Sequence, residues 1–370
     1  MVYVVLLLVL TGLYFALQDA RGHGMPPFRV HRIFWPSAAL LVAVVMGSRV
    51  DTGVDYPNYV LHFRLIGEDF GVFFREPIYT LTARAIHGLG GGVHAFLFVL
   101  ALVTNLALFM AIPRLRPSYP FLVVLGLFGA DFILAQTNAV RQMVAIGVIF
   151  ASLPLIAERR LWGYTASVAL AAGFHYMAVV VYPLYWFAHR SPSFPLLAIL
   201  LGLSLPMMVL GPAYYPALLE LLDPAASLLP ERYQLHLERI LAQGTATASG
   251  LGTLGLWAIG SASLVWLQVA SGLRGFTPGE RVAVNTGVLA IALNTMLAPI
   301  PVVGRLADFF LLGLPLLASV AVASTPHRTE RMLVYALFAL AFVTLFGYGI
   351  LSGSHGAYPY DSLIPGLAAL

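Results

Sequence analysis

The chain has 370 residues, 60% of them hydrophobic and only 10% charged, with a mean hydropathy of +0.87. Soluble domains are about 45–50% apolar and about 25% charged, so this composition excludes a water-solvated globule and points to a chain embedded in lipid. All 20 basic residues are arginine and cysteine is absent, which excludes lysine nucleophiles, a Walker A lysine, disulfides and thiolate chemistry.

A bilayer core of about 30 Å needs about 20 apolar residues per helix. The alternating pattern of a membrane barrel is missing, which leaves helices as the structure that satisfies the backbone in lipid. Apolar runs predict helices at 2–17, 34–48, 92–112, 119–136, 138–157, 161–187, 194–211, 250–272, 282–300, 305–324 and 332–352. The first run has no positive residue before it and reads as a helix that is kept, not a cleaved signal. Between the second and third runs, Arg49–Glu76 carries eight charges: Arg49, Asp51, Asp55, Arg64, Glu68, Asp69, Arg75 and Glu76. Within the same loop, "IYTLTARAIHGL" (78–89) sets Ile78, Leu81, Ala85, Ile86 and Leu89 on one helical face and Arg84 and His87 on the other. That is the pattern of an amphipathic helix lying in the membrane interface. The run 161–187 is interrupted by "AAGFHYM" and is expected to form two half-spanning pieces meeting near one face, with a single long tilted helix as the alternative. The stretch 212–248 is too polar to be embedded and long for a connector. The expected class is all-α and polytopic: one membrane domain over 1–370, about 10–12 transmembrane or re-entrant helices, and two extracytoplasmic loops at 49–91 and 212–248.

Arginine distribution orients these helices. With the N-terminus outside and 161–187 folded back, one side receives twelve arginines against four acids and the other eight against twelve. The net charges are then +8 and −4, so the pI of 9.3 reflects positive-inside bias and not nucleic-acid binding. The same arrangement gathers the unusual polar groups on the outer face: 49–76, Arg141 and Gln142, His175, the 212–248 loop, Arg305 and the tail "SHGAYPYDS".

Asp51 and Asp55 stand four residues apart, and on a helix they would share a face. They suit a general base with its orienting partner, a divalent cation, or a solvated loop at a helix end. Tyr56 and Tyr59 either stack on a sugar ring or anchor at the interface. Glu76 precedes Pro77, which fits a helix start. Arg141 and Gln142 sit at the outer end of an apolar helix. An arginine facing hydrocarbon costs about 2.5–3.5 kcal/mol on insertion scales, so Arg141 either snorkels or lines a polar cavity and holds an anion. Arg305 either does the same or pairs with Asp308 one turn on. His175 is either a core histidine bonded to a carbonyl or a proton-handling or phosphate-contacting group. HExxH, GxGxxG, Walker A and GxSxG patterns are absent.

In this order, "SRVDTGVDYPNYVLHF", "REPIYTLTARAI", "TNAVRQMVAIGVIF", "ALAAGFHYMAVVVYPLYW", "ERYQLHL" and "GRLADFF" resemble the EpsG branch of the Wzy-type polysaccharide polymerases over about 48–310. The family's polar positions are kept in Gly-Val-Asp-Tyr, Glu-Pro-Ile-Tyr and Val-Arg-Gln, while the apolar ones differ. The resemblance implies a GT-C-like, metal-independent membrane glycosyltransferase. It would join polyprenyl-diphosphate-linked oligosaccharide repeats on the outer face of the bacterial inner membrane, giving a capsule, exopolysaccharide or O-antigen. It implies Asp51, Asp55, Glu76 and His175 as candidates for the catalytic acid–base work. Arg49, Arg141, Gln142 and Arg305 would hold the diphosphate, and Tyr56, Tyr59, Arg232 and Tyr233 the glycan. No metal and no cofactor is expected beyond the polyprenyl diphosphate carrier. The expected partners are lipid-linked oligosaccharide and membrane lipids, with a chain-length regulator and a flippase as further candidates, and no nucleic acid. An O-antigen ligase or other lipid-linked-sugar transferase, a flippase and a non-catalytic scaffold are the alternatives. A flippase would spread polar groups along both halves of a central pathway and show internal repeats.

Overall fold

The computed structural model describes residues 1–22, 27–68, 76–226, 250–273, 275–299 and 301–368. The described residues are mostly helical, and seven of their helices are long and apolar enough to cross a membrane, or eight if one bent pair counts as a span. The protein is therefore an all-α polytopic membrane protein.

Helices α1 (Val2–Gly22) and α2 (Pro27–Gly47) lead to the charged segment. There the short helices α3 (Tyr56–Glu68) and α4 (Pro77–Gly88) precede the long α5 (Val93–Leu115). Next come α6 (Pro120–Gly129), α7 (Val140–Ala157), α8 (Leu161–Phe174) and the short α9 (Leu184–Ala188). The chain continues through α10 (Phe194–Ala226), α11 (Leu251–Ser271), α12 (Pro278–Leu297), α13 (Pro301–Leu311), α14 (Gly313–Ala323) and α15 (Arg328–Leu351), and ends in a tail with α16 (Pro365–Ala368).

Two bundles of packed helices carry the core. One runs α2–α5–α7–α8; the other groups α10, α12, α13 and α14. Helices α12 and α14 cross at Gly287 and Gly313: a Cβ on Gly287 would lie 2.7 Å from the Gly313 carbonyl oxygen. Small residues let helix backbones approach where lipid provides no hydrophobic drive.

Several elements depart from the apolar runs. The run 119–136 is helical only to Gly129, then turns through Asp131 at φ 69° into a 3-10 turn at Leu134–Thr137. Helix α10 continues to Ala226, so the first part of the expected 212–248 loop is a helical extension; residues 227–249 lie outside those described. At about 1.5 Å per residue its 33 residues reach about 50 Å, well beyond the hydrocarbon thickness.

The run 161–187 does fold back. Helix α8 ends at His175, whose extended backbone (φ −152°, ψ 107°) starts the return. The returning limb is pinned by Tyr164, whose hydroxyl donates to the Val181 carbonyl at 2.8 Å. Helix α4 buries Tyr79, Thr80 and Ala83 and leaves Leu81, Ala85 and Leu89 exposed, the apolar face an interfacial helix turns to lipid.

The helix ends sort into two groups. At one end, a cavity of about 1180 Å³ is lined by Arg114, Arg116, Glu158, Arg160, Thr277 and Glu280, which gathers the arginine-rich loops together. At the other end the C-terminal tail returns to the charged segment. Arg49 and Val50 pair antiparallel with Ser362 and Asp361, and Gly53 N–H donates to the Gly356 carbonyl at 2.9 Å. Gly53 has φ 101°, and a Cβ there would lie 2.1 Å from the Thr137 carbonyl oxygen, so the turn requires glycine. Residues from three distant parts of the sequence thus meet at one end.

Candidate functional site

The central feature is Glu76. It stands just before α4, with Pro77 at the first helical position, yet its carboxylate does not cap its own helix. It turns inward, only 5% exposed, and both oxygens are engaged. One accepts from the Arg141 guanidinium; the other lies 2.9 Å from His175 Nδ1. Burial alone would raise the Glu76 carboxyl, but the His175 hydrogen bond and the Arg141 charge outweigh it and hold it below its ordinary value.

Arg141 is in the first turn of α7, where the helix dipole disfavours a cation. Glu76 compensates, and the guanidinium lies over the Tyr79 ring at 5.5 Å from the centroid. The side chain is 28% exposed, so part of its donor fork faces out of the protein. His175 is held from the other side by Phe309 of α13, ring stacked on ring at 6.1 Å and 7°. Its break position between two helical pieces is what frees the ring to reach Glu76.

Tyr59 fixes the start of α7. Its hydroxyl donates to the Asn138 carbonyl at 2.8 Å and accepts from Val140 N–H at 3.0 Å. Asn138 in turn accepts from Asp55 N–H at 2.9 Å. The charged segment therefore positions Arg141 through the backbone of residues 138–140.

The structure rearranges the other expectations. Asp51 and Asp55 do not share a helical face: α3 begins at Tyr56, Asp51 precedes it in a turn at φ 45°, and Asp55 ends the turn with its carboxylate on Asn58 Nδ2 at 3.2 Å. Tyr56 and Tyr59 are buried, so neither ring offers a face to a sugar in this arrangement. Arg49 is 1% exposed; it donates to the Met46 carbonyl at the end of α2, where a cation suits the helix dipole, and does not join Arg141 at the surface. Gln142 is buried too and ties α7 to α13, donating to the Arg305 carbonyl at 2.7 Å and to Asp308 Oδ2 at 3.2 Å. Arg305 is exposed and, among the described residues, forms no ion pair with Asp308. Arg232 and Tyr233 lie outside the described residues. Glu76, Arg141 and His175 are thus brought into direct contact, and Gln142, next to Arg141, is bonded to the Arg305 backbone.

Sequence reasoning missed two groups. His62, on α3, faces Arg141, Glu76 and Asp55; burial and then the Arg141 charge push its imidazole down. Its signal is the inner-face spacing Tyr59, His62, Phe63 and Ile66. The other group is a pair between His355 of the tail and Asp131, 2.8 Å apart and 224 residues distant in sequence. The tail "SHGAYPYDS" is expected on the outer face, but nothing in it points to Asp131 as the partner of His355.

Compared with known protein families, residues 32–362 match the model of the EpsG family. No curated protein and no solved structure matches the chain.

Proposed function

Because the chain belongs to the EpsG family, which supports a role in polymerising polysaccharide repeat units, we propose that it joins polyprenyl-diphosphate-linked oligosaccharides at the extracytoplasmic face of the inner membrane, as a GT-C-like and metal-independent transferase. The observation that carries this reading is the Glu76 carboxylate bridging Arg141 and His175.

The chemistry follows from the two partners. Glu76 accepting at Nδ1 leaves His175 Nε2 as the basic nitrogen, the arrangement in which a carboxylate orients an imidazole. The acceptor sugar hydroxyl gives its proton to Nε2. Its oxygen bonds the anomeric carbon of the donor, whose bond to the diphosphate oxygen breaks with the electron pair leaving on the diphosphate. That departing charge meets the outward donors of Arg141 and the exposed Arg305. Stabilising a leaving group's developing charge is usually the largest catalytic term, and a guanidinium fork matches phosphate geometry.

Glu76 is then a positioning residue and not the base: it is buried, doubly engaged and held as the carboxylate. Grouping of polar residues at one end, opposite the arginine-rich loops, fits an extracytoplasmic site under the positive-inside rule. The test is turnover of purified protein in proteoliposomes, given lipid-linked repeats extracted from cells lacking the chain. Longer lipid-linked glycan, made also in excess EDTA, is expected. Loss of all turnover in EDTA, restored by Mg²⁺ or Mn²⁺, would overturn metal independence; no elongation under any condition would overturn the polymerase reading.

A further inference from the structure

A cavity of about 230 Å³ opens beside this centre, on the far side of α13. Its polar lining comes from Asp131, Asp308, His355, Asn294, Thr253 and Tyr348, drawn from five separate stretches of the chain. Helix α13 stands between it and the transfer centre: Phe309 stacks on His175 while its neighbour Asp308 lines the cavity. Gln142, next to Arg141, bonds the same Asp308. The two spaces therefore share a wall.

We propose that this cavity is a subsite for one sugar ring of the glycan substrate. The size argues for a single ring. Drug-sized ligands occupy about 300–1,000 Å³, and at about 30 Å³ per water this space holds about seven or eight waters. Neither an acyl chain with its headgroup nor an oligosaccharide fits within it. The chemistry argues for hydroxyls. Carboxylates accept from adjacent hydroxyls, the Asn294 amide both donates and accepts, and Thr253 adds a hydroxyl. Tyr348 adds an aromatic ring for the apolar face of a sugar, and Leu256, Leu311 and Leu345 complete that side.

The walls are fixed in advance. His355 is held by Asp131, and its backbone carbonyl accepts from Val54 N–H at 3.2 Å, which anchors the tail to the charged segment. Burial would depress the His355 imidazole, but Asp131 outweighs this and holds it above its ordinary value.

The substrate class rests on the polymerase reading, but the test does not need turnover. The probe is the delipidated repeat unit, released by mild acid from the lipid-linked pool of cells lacking the chain, titrated calorimetrically into the full chain in detergent. Asp131→Asn keeps shape and removes charge. Gly252→Leu puts bulk into the cavity; a Cβ at 252 would lie 3.6 Å from Tyr348 Cε1, an ordinary contact. Wild type is expected to bind, and both variants to bind at least tenfold more weakly while eluting as monodisperse protein. No binding by wild type, or undiminished binding by Gly252→Leu, overturns the subsite. Polymerisation by Arg141→Ala would instead remove Arg141 from the transfer centre and leave the subsite standing.

Discussion

Glu76 Oε1 and His175 Nδ1 lie 2.9 Å apart although 99 residues separate them in the chain. Their meeting needs both helix breaks, the one before α4 and the one after α8. The same carboxylate holds Arg141, so one side chain positions both the proposed base and the proposed anion-binding cation. Its removal should therefore affect both. Glu76→Gln keeps the shape and loses the charge. Polymer synthesis should fall about 10²-fold or more, in the range assigned to a misplaced general base. Polymer length on lipid-linked repeats at matched membrane expression measures this.

Glu76 also makes stability depend on pH. Its folded-state value lies below the ordinary carboxylate value of about 4.3. A depressed acid contributes stability that is present above the unfolded value and lost as pH falls through the folded one. The melting temperature in detergent should thus separate wild type from Glu76→Gln at pH 7, with the gap closing below about pH 4. A gap unchanged from pH 7 to pH 3.5 would show that Glu76 is not charged in the folded protein.

Arg141→Lys tests the fork geometry. Lysine keeps the charge and snorkels equally well but does not donate in a planar pair. Two charge-assisted hydrogen bonds at about 1.5–3 kcal/mol each correspond to a slowing of about 10²- to 10⁴-fold. Arg141→Ala should abolish polymerisation. It also strips the buried Glu76 of a partner, so some loss of stability is expected, which the sequence alone did not suggest. Near-normal polymer from Arg141→Lys would limit the residue to anchoring.

Tyr59→Phe separates positioning from sugar contact. The hydroxyl serves Asn138 and Val140, both in the backbone that starts α7. Leaving those buried groups unpaired should cost about 1–3 kcal/mol, read as a lower melting temperature in detergent. A variant as stable as wild type would contradict the strut role.

Membrane architecture was legible from apolar run lengths, and the fold-back was legible at "AAGFHYM" because a glycine and a histidine interrupt a run too long for one span. Glu76, Arg141 and His175 stood out because ionisable groups are rare in such surroundings. What they do was less visible. Asp51 and Asp55 have helical spacing, but the chain turns at Gly53 and starts its helix after them. Tyr56, Tyr59 and Arg49 look like surface recognition groups. Arg49 is buried where the tail strand pairs with it and Val50, more than 300 positions away, and Tyr59 where its hydroxyl meets the backbone of residues 138–140. The Asp131–His355 pair is hidden for the same reason: local periodicity carries no information on which loops meet at a helix end.

Orientation can be tested directly, since the chain has no cysteine. Asn58→Cys should be labelled by an impermeant thiol reagent from outside intact cells, and Arg159→Cys only after the membrane is opened. The reverse pattern would invert the site to the cytoplasm.

The most direct test of the transfer centre is His175→Gln, reconstituted with lipid-linked repeats and compared with wild type for the rate of glycan elongation. General-base catalysis contributes about 10²- to 10⁴-fold, so elongation should drop at least 100-fold, while the protein elutes normally and still binds the delipidated repeat. Elongation by His175→Gln within a few-fold of the wild-type rate would contradict the assignment of His175 as the base and with it the role given to Glu76.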